Sequence, residues 1–166
     1  SIPALLAGKD LIGQSKTGSG KTAAFALPIL QGLDIGGRVL QAIVLCPTRE
    51  LCAQVAREVR KLGRGQAGLS VLELVGGQPA RPQREALERG VHVVIGTPGR
   101  LLDHLQRGAL DARTIKTVVL DEADRMLDMG FLPDMKRILQ KCPKDRVTAL
   151  FSATIPPAIE TLIQWA

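Results

Sequence analysis

The chain has no tyrosine, one tryptophan (Trp165) and three phenylalanines (Phe25, Phe131 and Phe151). Proteins that read single-stranded nucleic acid by stacking bases need a surface supply of rings. With so few, any nucleic acid held here must be held mainly through its sugar–phosphate backbone. Cysteine is also scarce. Cys46, Cys52 and Cys142 cannot all pair and no two stand at CxxC spacing, so they read as small apolar packing residues in a reducing compartment, the cytoplasm. His92 and His104 lie far from any cysteine pair, which argues against structural zinc. No run approaches the roughly 20 apolar residues that cross a bilayer, so no membrane role is expected. The opening Ser1-Ile2-Pro3 has no basic segment ahead of its apolar stretch and does not read as a secretion signal. It also lacks an initiator Met, so the chain reads as a fragment or processed piece.

What is present fits one well-cored domain: 166 residues, 45% apolar and 23% charged. Lys and Arg number 22 against 16 Asp and Glu, a net charge of +6. That excess favours a polyanionic partner, but a basic balance alone is a weak signal.

Short apolar or β-branched runs alternate with helical stretches from end to end. The runs are Asp10–Gln14, Ala42–Cys46, Val71–Val75, Val91–Ile95, Thr117–Leu120 and Val147–Phe151. Helical patterns cover Lys21–Gln31, Glu50–Leu62, Arg81–Arg89, Arg100–Gln106, Arg125–Asp128, Phe131–Gln140 and Ala158–Trp165. Continuous apolar strands are buried on both faces, as in a parallel sheet covered by helices. The expected class is therefore α/β, a parallel sheet with helices on both faces and right-handed crossovers. Ligands of such sheets bind outside the carboxyl ends of the strands, so the residues that follow each strand come first.

After the first run comes Ser15-Lys16-Thr17-Gly18-Ser19-Gly20-Lys21-Thr22, leading into a helix. Glycines let backbone N–H groups crowd a phosphate chain, and the helix N-terminus adds partial positive charge. Lys21 can reach the β- and γ-phosphates and the Thr22 hydroxyl can ligate Mg²⁺. The GxxxxGK[ST] pattern is met except that Ser15 replaces the first Gly. A chance Gly-rich turn is one alternative. A dinucleotide fingerprint is another, since Gly18-x-Gly20-x-x-Ala23 fits it, but the second strand ends Val44-Leu45-Cys46-Pro47 with no acid for a ribose. A nucleoside triphosphate is the preferred ligand.

Thr117-Val118-Val119-Leu120 ends in Asp121-Glu122-Ala123-Asp124. One carboxylate emerging beside a phosphate loop can hold Mg²⁺, and a second can orient or deprotonate water. Alternatively the acids merely favour the N-terminus of the next helix, and Asp124 fits that role.

Ser15–Thr22, Pro47-Thr48-Arg49-Glu50-Leu51, Gly76-Gly77, Thr97-Pro98-Gly99-Arg100, Asp121–Asp124 and Ser152-Ala153-Thr154 occur in the order and spacing of the DEAD-box RNA helicases, which the whole chain resembles. Stretches such as Arg125-Met126-Leu127-Asp128-Met129-Gly130-Phe131 look most like the bacterial DbpA-type branch, tied to ribosomal RNA and hence ribosome assembly. The resemblance implies a RecA-like P-loop NTPase fold, with residues 1–166 as the first RecA-like, ATP-binding domain. It implies Ser15–Thr22 on ATP, Thr22 and Asp121 on Mg²⁺, and Glu122 activating water. It further implies Arg49, Gly76, Gly77, Thr97, Gly99 and Arg100 along the RNA backbone, and Asp124, Ser152 and Thr154 coupling nucleotide state to RNA grip. The family's Gln motif would lie upstream of Ser1. A second RecA-like domain with an arginine finger, and any RNA-selecting module, would lie beyond Ala166.

Each rim position also has a plainer reading. Thr97-Pro98 can be only a helix start, Arg49 a solvated first-turn residue paired with an acid, Gly76-Gly77 an ordinary turn, and Ser152 and Thr154 a hydroxyl turn. Arg57, Lys61 and Arg64 fall on one helical stripe that reads as a solvated face. Two departures from the family pattern, Ser15-Lys16 for Ala-Gln and Cys52 for Ala, are mild. The central expectation is spatial: Lys21 and the Asp121-Glu122 pair should meet across neighbouring strand tips.

Overall fold

The computed structural model describes residues 8–14 and 21–165. Strands are β1 (Leu11–Gln14), β2 (Ala42–Leu45), β3 (Val71–Leu74), β4 (Val93–Gly96), β5 (Thr117–Leu120) and β6 (Val147–Ser152). Helices are α1 (Lys21–Gln31), α2 (Arg49–Leu62), α3 (Ala80–Arg89), α4 (Pro98–Gln106), α5 (Ala123–Asp128), α6 (Leu132–Lys141) and α7 (Pro157–Trp165), with a 3₁₀ turn at Ala112–Thr114. All strand pairs are parallel, in the order β1-β6-β5-β2-β4-β3.

The sheet is covered on both faces because its central strands are apolar at nearly every position. On β2, Ile43 and Leu45 join one core with Leu101, Met126, Met135 and Ile138. Ala42 and Val44 join the other with Phe25, Ile29, Val55 and Val59. Alternate side chains of one strand thus feed two layers, at roughly 1.5–3 kcal/mol for each fully buried Val, Leu or Ile. Helix α2 shows the complementary pattern. Its buried residues Cys52, Val55, Ala56 and Val59 make one stripe, Thr48 caps it by accepting from Leu51 N–H at 3.2 Å, and the Gly63 N–H closes it on Val59 O.

The cysteines are buried free thiols. Phe25 and Phe151 are buried and meet at a centroid distance of 5.6 Å, while Phe131 packs partly buried against the core. Rings therefore build the interior. Among the described residues no helix is long and apolar enough to cross a membrane.

Three expectations change. The fourth strand begins two residues later than its apolar run, since Val91 is already buried in the approach to it. It also includes Gly96, where a Cβ would stand 2.5 Å from Leu74 O and 2.8 Å from Leu101 Cγ. Arg64 lies past the end of α2, so the basic stripe reduces to Arg57 and Lys61, both exposed. Finally β1 and β5 are not neighbours: β6 runs between them, hydrogen-bonded to both.

Candidate functional site

Every strand being parallel, the segments that leave β2 to β6 emerge on one edge of the sheet. Lys21, the first residue of α1, reaches across the tip of β6 to the tip of β5. Its Nζ lies 2.9 Å from Asp121 Oδ1 and 3.9 Å from Glu122 Oε2. The spatial expectation is met in contact, although the strands are not adjacent. Asp121 is fully buried, and neither of its oxygens receives a well-directed hydrogen bond. The Lys21 ammonium supplies compensating charge by proximity. Burial holds the Asp121 carboxyl above the usual carboxylate range, Lys21 pulls it back, and Glu122 pushes it up again.

Such a carboxylate fits a divalent cation. Among the described residues no three His, Cys, Asp or Glu side chains converge as a metal cage. Magnesium needs none, since it takes one or two carboxylates and completes its shell with phosphate oxygens and water. Thr22 follows Lys21 in the first turn of α1, half-buried. Residues Ser15 to Gly20, expected to cradle phosphate, lie outside the described residues.

Glu122 is the one described non-glycine residue with positive φ (52°). A left-handed glutamate costs of order 1–2 kcal/mol. It stands at the N-cap of α5 yet makes no capping hydrogen bond, and its carboxylate is held by Lys21 and by Arg125 Nη1 at 3.6 Å. The bend thus turns the second acid back over the sheet edge.

Asp124, in the first turn of α5, ties that helix to the turn beyond β6. Its Oδ2 accepts from Thr154 N–H at 3.2 Å and from Thr154 Oγ1 at 3.0 Å. Its own N–H donates to Ser152 Oγ at 3.2 Å, and that hydroxyl donates to Thr154 O at 2.6 Å. Burial would raise the Asp124 carboxyl, but the hydrogen bonds from the Thr154 hydroxyl and from the Arg125 and Thr154 N–H groups outweigh it and hold it below the usual range. Asp124 also serves its own helix N-terminus, accepting from Arg125 N–H at 3.0 Å. Ser152 and Thr154 are therefore more than an isolated hydroxyl turn.

The remaining candidates line the tips of β2, β3 and β4. Arg49 is exposed in the first turn of α2, and no ion pair to an acid holds it among the described residues. Its guanidinium lies over Gly77, where a Cβ would sit 2.6 Å from Arg49 Nη1, and Gly77 has φ of 79°. A side chain there would displace the arginine. Around Gly76 and Gly99 nothing lies within 4 Å of a built Cβ, so backbone is open to approach. Thr97 is the N-cap of α4 with Pro98 behind it, as the plain reading has it, but its hydroxyl makes no capping bond.

Arg100 is half-buried and Nη1 donates to Gln78 O at 2.9 Å and to Gln83 Oε1 at 3.0 Å. Gln83 and His104 had no sequence signal as site residues, because their contact spans 21 residues and two helices. A cavity of about 430 Å³, lined by Ile29, Gln41, Ala42 and Thr117 among others, lies at the opposite, amino-terminal end of β2 and β5. It takes no part in this rim.

Comparison with known proteins agrees with this geometry. The family model described as DEAD/DEAH box helicase matches residues 1–162. The chain is 52% identical over 162 residues to the ATP-dependent RNA helicase DbpA of Escherichia coli (strain K12), covering 98% of this chain and 35% of that protein. It is also 52% identical over 162 residues to the ATP-dependent RNA helicase DeaD of Mycobacterium tuberculosis (strain ATCC 25618 / H37Rv), covering 98% of this chain and 29% of that one. The chain thus spans about a third of these relatives' length. The crystal structure of a DEAD box protein from the hyperthermophile Methanococcus jannaschii superposes with a TM-score of 0.93 at 44% identity, over 98% of this chain and 44% of that one. A hypothetical ATP-dependent RNA helicase from Sulfolobus tokodaii gives 0.88 at 43%, over 98% and 47%. With its parallel six-stranded RecA-like sheet and a match along nearly its whole length, the chain belongs to the DEAD/DEAH box helicase family.

Proposed function

We propose that residues 1–166 form the ATP-binding, first RecA-like domain of an ATP-dependent RNA helicase acting in the cytoplasm. ATP·Mg²⁺ would lie over β1, β6 and β5, and the sugar–phosphate backbone of RNA over the tips of β2, β3 and β4. The carrying observation is the buried Asp121, whose one nearby compensating charge among the described residues is the Lys21 ammonium at 2.9 Å. The pair holds the site closed by charge until a triphosphate offers Lys21 better oxygens. Lys21 would then swap partner, and Asp121 and the Thr22 hydroxyl would hold the metal. Bound magnesium supplies neutralisation of charge on the phosphate oxygens. Glu122, already bent over the edge, orients the attacking water and accepts its proton.

Arg49, Thr97 and Arg100 supply the donor groups suited to phosphate oxygens, and Gly76, Gly77 and Gly99 leave room for the strand. Phe25 and Phe151 are buried and so give this grip no surface for base stacking. A second RecA-like domain in the whole protein would complete both sites, and its arginine would be worth about 10³–10⁵ in rate. This piece alone should therefore hydrolyse ATP barely and without RNA stimulation. The likeness to the DbpA type supports a ribosomal RNA target and a part in ribosome assembly.

The test is ATP turnover by the whole protein with RNA and DNA of one sequence, at several salt concentrations. RNA alone should stimulate, with apparent affinity falling as salt rises. Equal stimulation by DNA, or a flat salt response, would contradict the backbone-gripping account. Ribosomal RNA should stimulate more than an unrelated RNA of equal length; equal stimulation removes the ribosomal assignment only.

A further inference from the structure

Gln83, on α3, is 5% exposed, and its amide nitrogen donates to Val75 O at 3.1 Å. That bond fixes which way the amide faces, so Oε1 can only be an acceptor. It accepts twice: from Arg100 Nη1 at 3.0 Å and from His104 Nε2 at 2.8 Å. His104 must carry its proton on Nε2 to make this bond. It is fully buried on α4, and its Nδ1 has no partner. Burial holds the ring below its ordinary pKa, Asp103 pulls it back, and the charges of Arg100, Arg84 and Arg107 lower it further, which favours the neutral ring. With Gln78 O as its second acceptor, Nη1 of Arg100 is fully committed inward. Among the described residues nothing bonds Nε or Nη2 of this half-exposed arginine.

We propose that Gln83 and His104 are positioning residues, a buried latch that holds the Arg100 guanidinium with one edge fixed and the other presented to an RNA phosphate. The proposal rests on the reading that Arg100 touches the RNA backbone. An arginine on a flexible stem must surrender side-chain freedom to grip a phosphate, and a latched one has already done so. His104 is fully buried, so it has no surface with which to touch RNA itself. Its effect on RNA must therefore pass through Arg100.

That requirement sets the experiment: a double-mutant cycle in the whole protein, reading affinity for a labelled single-stranded RNA and, separately, KM for ATP and melting temperature. Arg100→Ala should weaken RNA binding about tenfold, the scale of one charge-assisted hydrogen bond. His104→Leu should weaken it several-fold in the wild-type background and not further in the Arg100→Ala background, with KM for ATP unchanged. His104→Gln, which restores a donor near the Nε2 position, should recover most of the affinity. Gln83→Met, similar in volume without the acceptor, repeats the cycle should His104→Leu not fold. Equal losses in both backgrounds, no loss in either, or no recovery by His104→Gln each overturn the latch and leave the RNA assignment of Arg100 standing. An Arg100→Ala protein that binds RNA as tightly as wild type overturns both.

Discussion

Thr154 donates twice to a single oxygen of Asp124, from its backbone and from its hydroxyl. The turn after β6 and the first turn of α5 are thereby one unit at the neighbouring tips of β6 and β5, beside the Lys21–Asp121 pair. Thr154→Val keeps the shape and the backbone bond but removes the hydroxyl donor. We expect a stability loss of about 0.5–1.5 kcal/mol, ATP affinity near wild type, and a marked fall in RNA-stimulated turnover and duplex unwinding by the whole protein. Parallel assays of nucleotide binding and unwinding check this; equal loss of both would mean that the turn serves the nucleotide site itself.

The same carboxylate carries a pH signature. Asp124 is held below its ordinary range in the folded protein. A depressed acid stabilises the fold above the unfolded pKa of about 3.9, and that stability is lost as pH falls through the lower folded value. Asp124→Asn should therefore lose stability at neutral pH and show a flatter acid limb in melting temperature below about pH 4. A variant with an unchanged acid limb would show that the hydrogen bonds do not favour the charged form.

Lys21→Ala should behave in the opposite sense. Asp121 is already held above its ordinary range. Without the Lys21 charge it moves higher still, so the folded state binds a proton that the unfolded state releases. Stability then falls as pH rises from about 4 towards neutrality. At neutral pH the cost of stranding this buried carboxylate should approach about 3 kcal/mol, and it should shrink at pH 5. Melting curves across that range, taken without nucleotide, decide the matter.

Gly77→Ala places a methyl group 2.6 Å from the Arg49 guanidinium in a left-handed backbone. The arginine is exposed and can swing away, so the main stability loss is conformational, about 1–2 kcal/mol. RNA affinity should fall as far as it does in Arg49→Ala, and the double variant should be no weaker. Additive losses in that cycle would show that Gly77 and Arg49 act separately.

Glu122→Gln keeps volume and removes the base. Turnover should fall about 10²–10⁴-fold while ATP and RNA both still bind. In the whole protein RNA release should slow with it. If release is unaffected, binding of ATP and not its hydrolysis drives the cycle.

Much of this architecture was legible from residues alone, and the limits are physical. Ile43, Val44, Val118 and Val119 are apolar on consecutive positions, and only a strand buried on both faces uses that pattern. The candidate positions at the strand tips were equally visible, since Asp121 directly follows one such run and Arg49 follows another after Cys46-Pro47-Thr48. Two things were not. Strand order depends on long-range pairing, so the place of β6 between β1 and β5 left no local trace. Gln83 and His104 read as ordinary helix residues because their meaning arises only where α3 and α4 face each other. Gly96 was hidden for a different reason: glycine signals a turn locally, while here it relieves a clash with Leu74 and Leu101.

The interposed strand has a mechanical consequence. Gly13 pairs with Phe151, and Leu120 with Leu150, so the lysine side and the acid side are welded to one common plank. The floor beneath Lys21 and Asp121 behaves as an anvil: it cannot hinge without tearing two ladders. On the proposed function, a message from nucleotide to RNA would leave through side chains at the plank's end, where Ser152, Asp124 and Thr154 are hydrogen-bonded to one another.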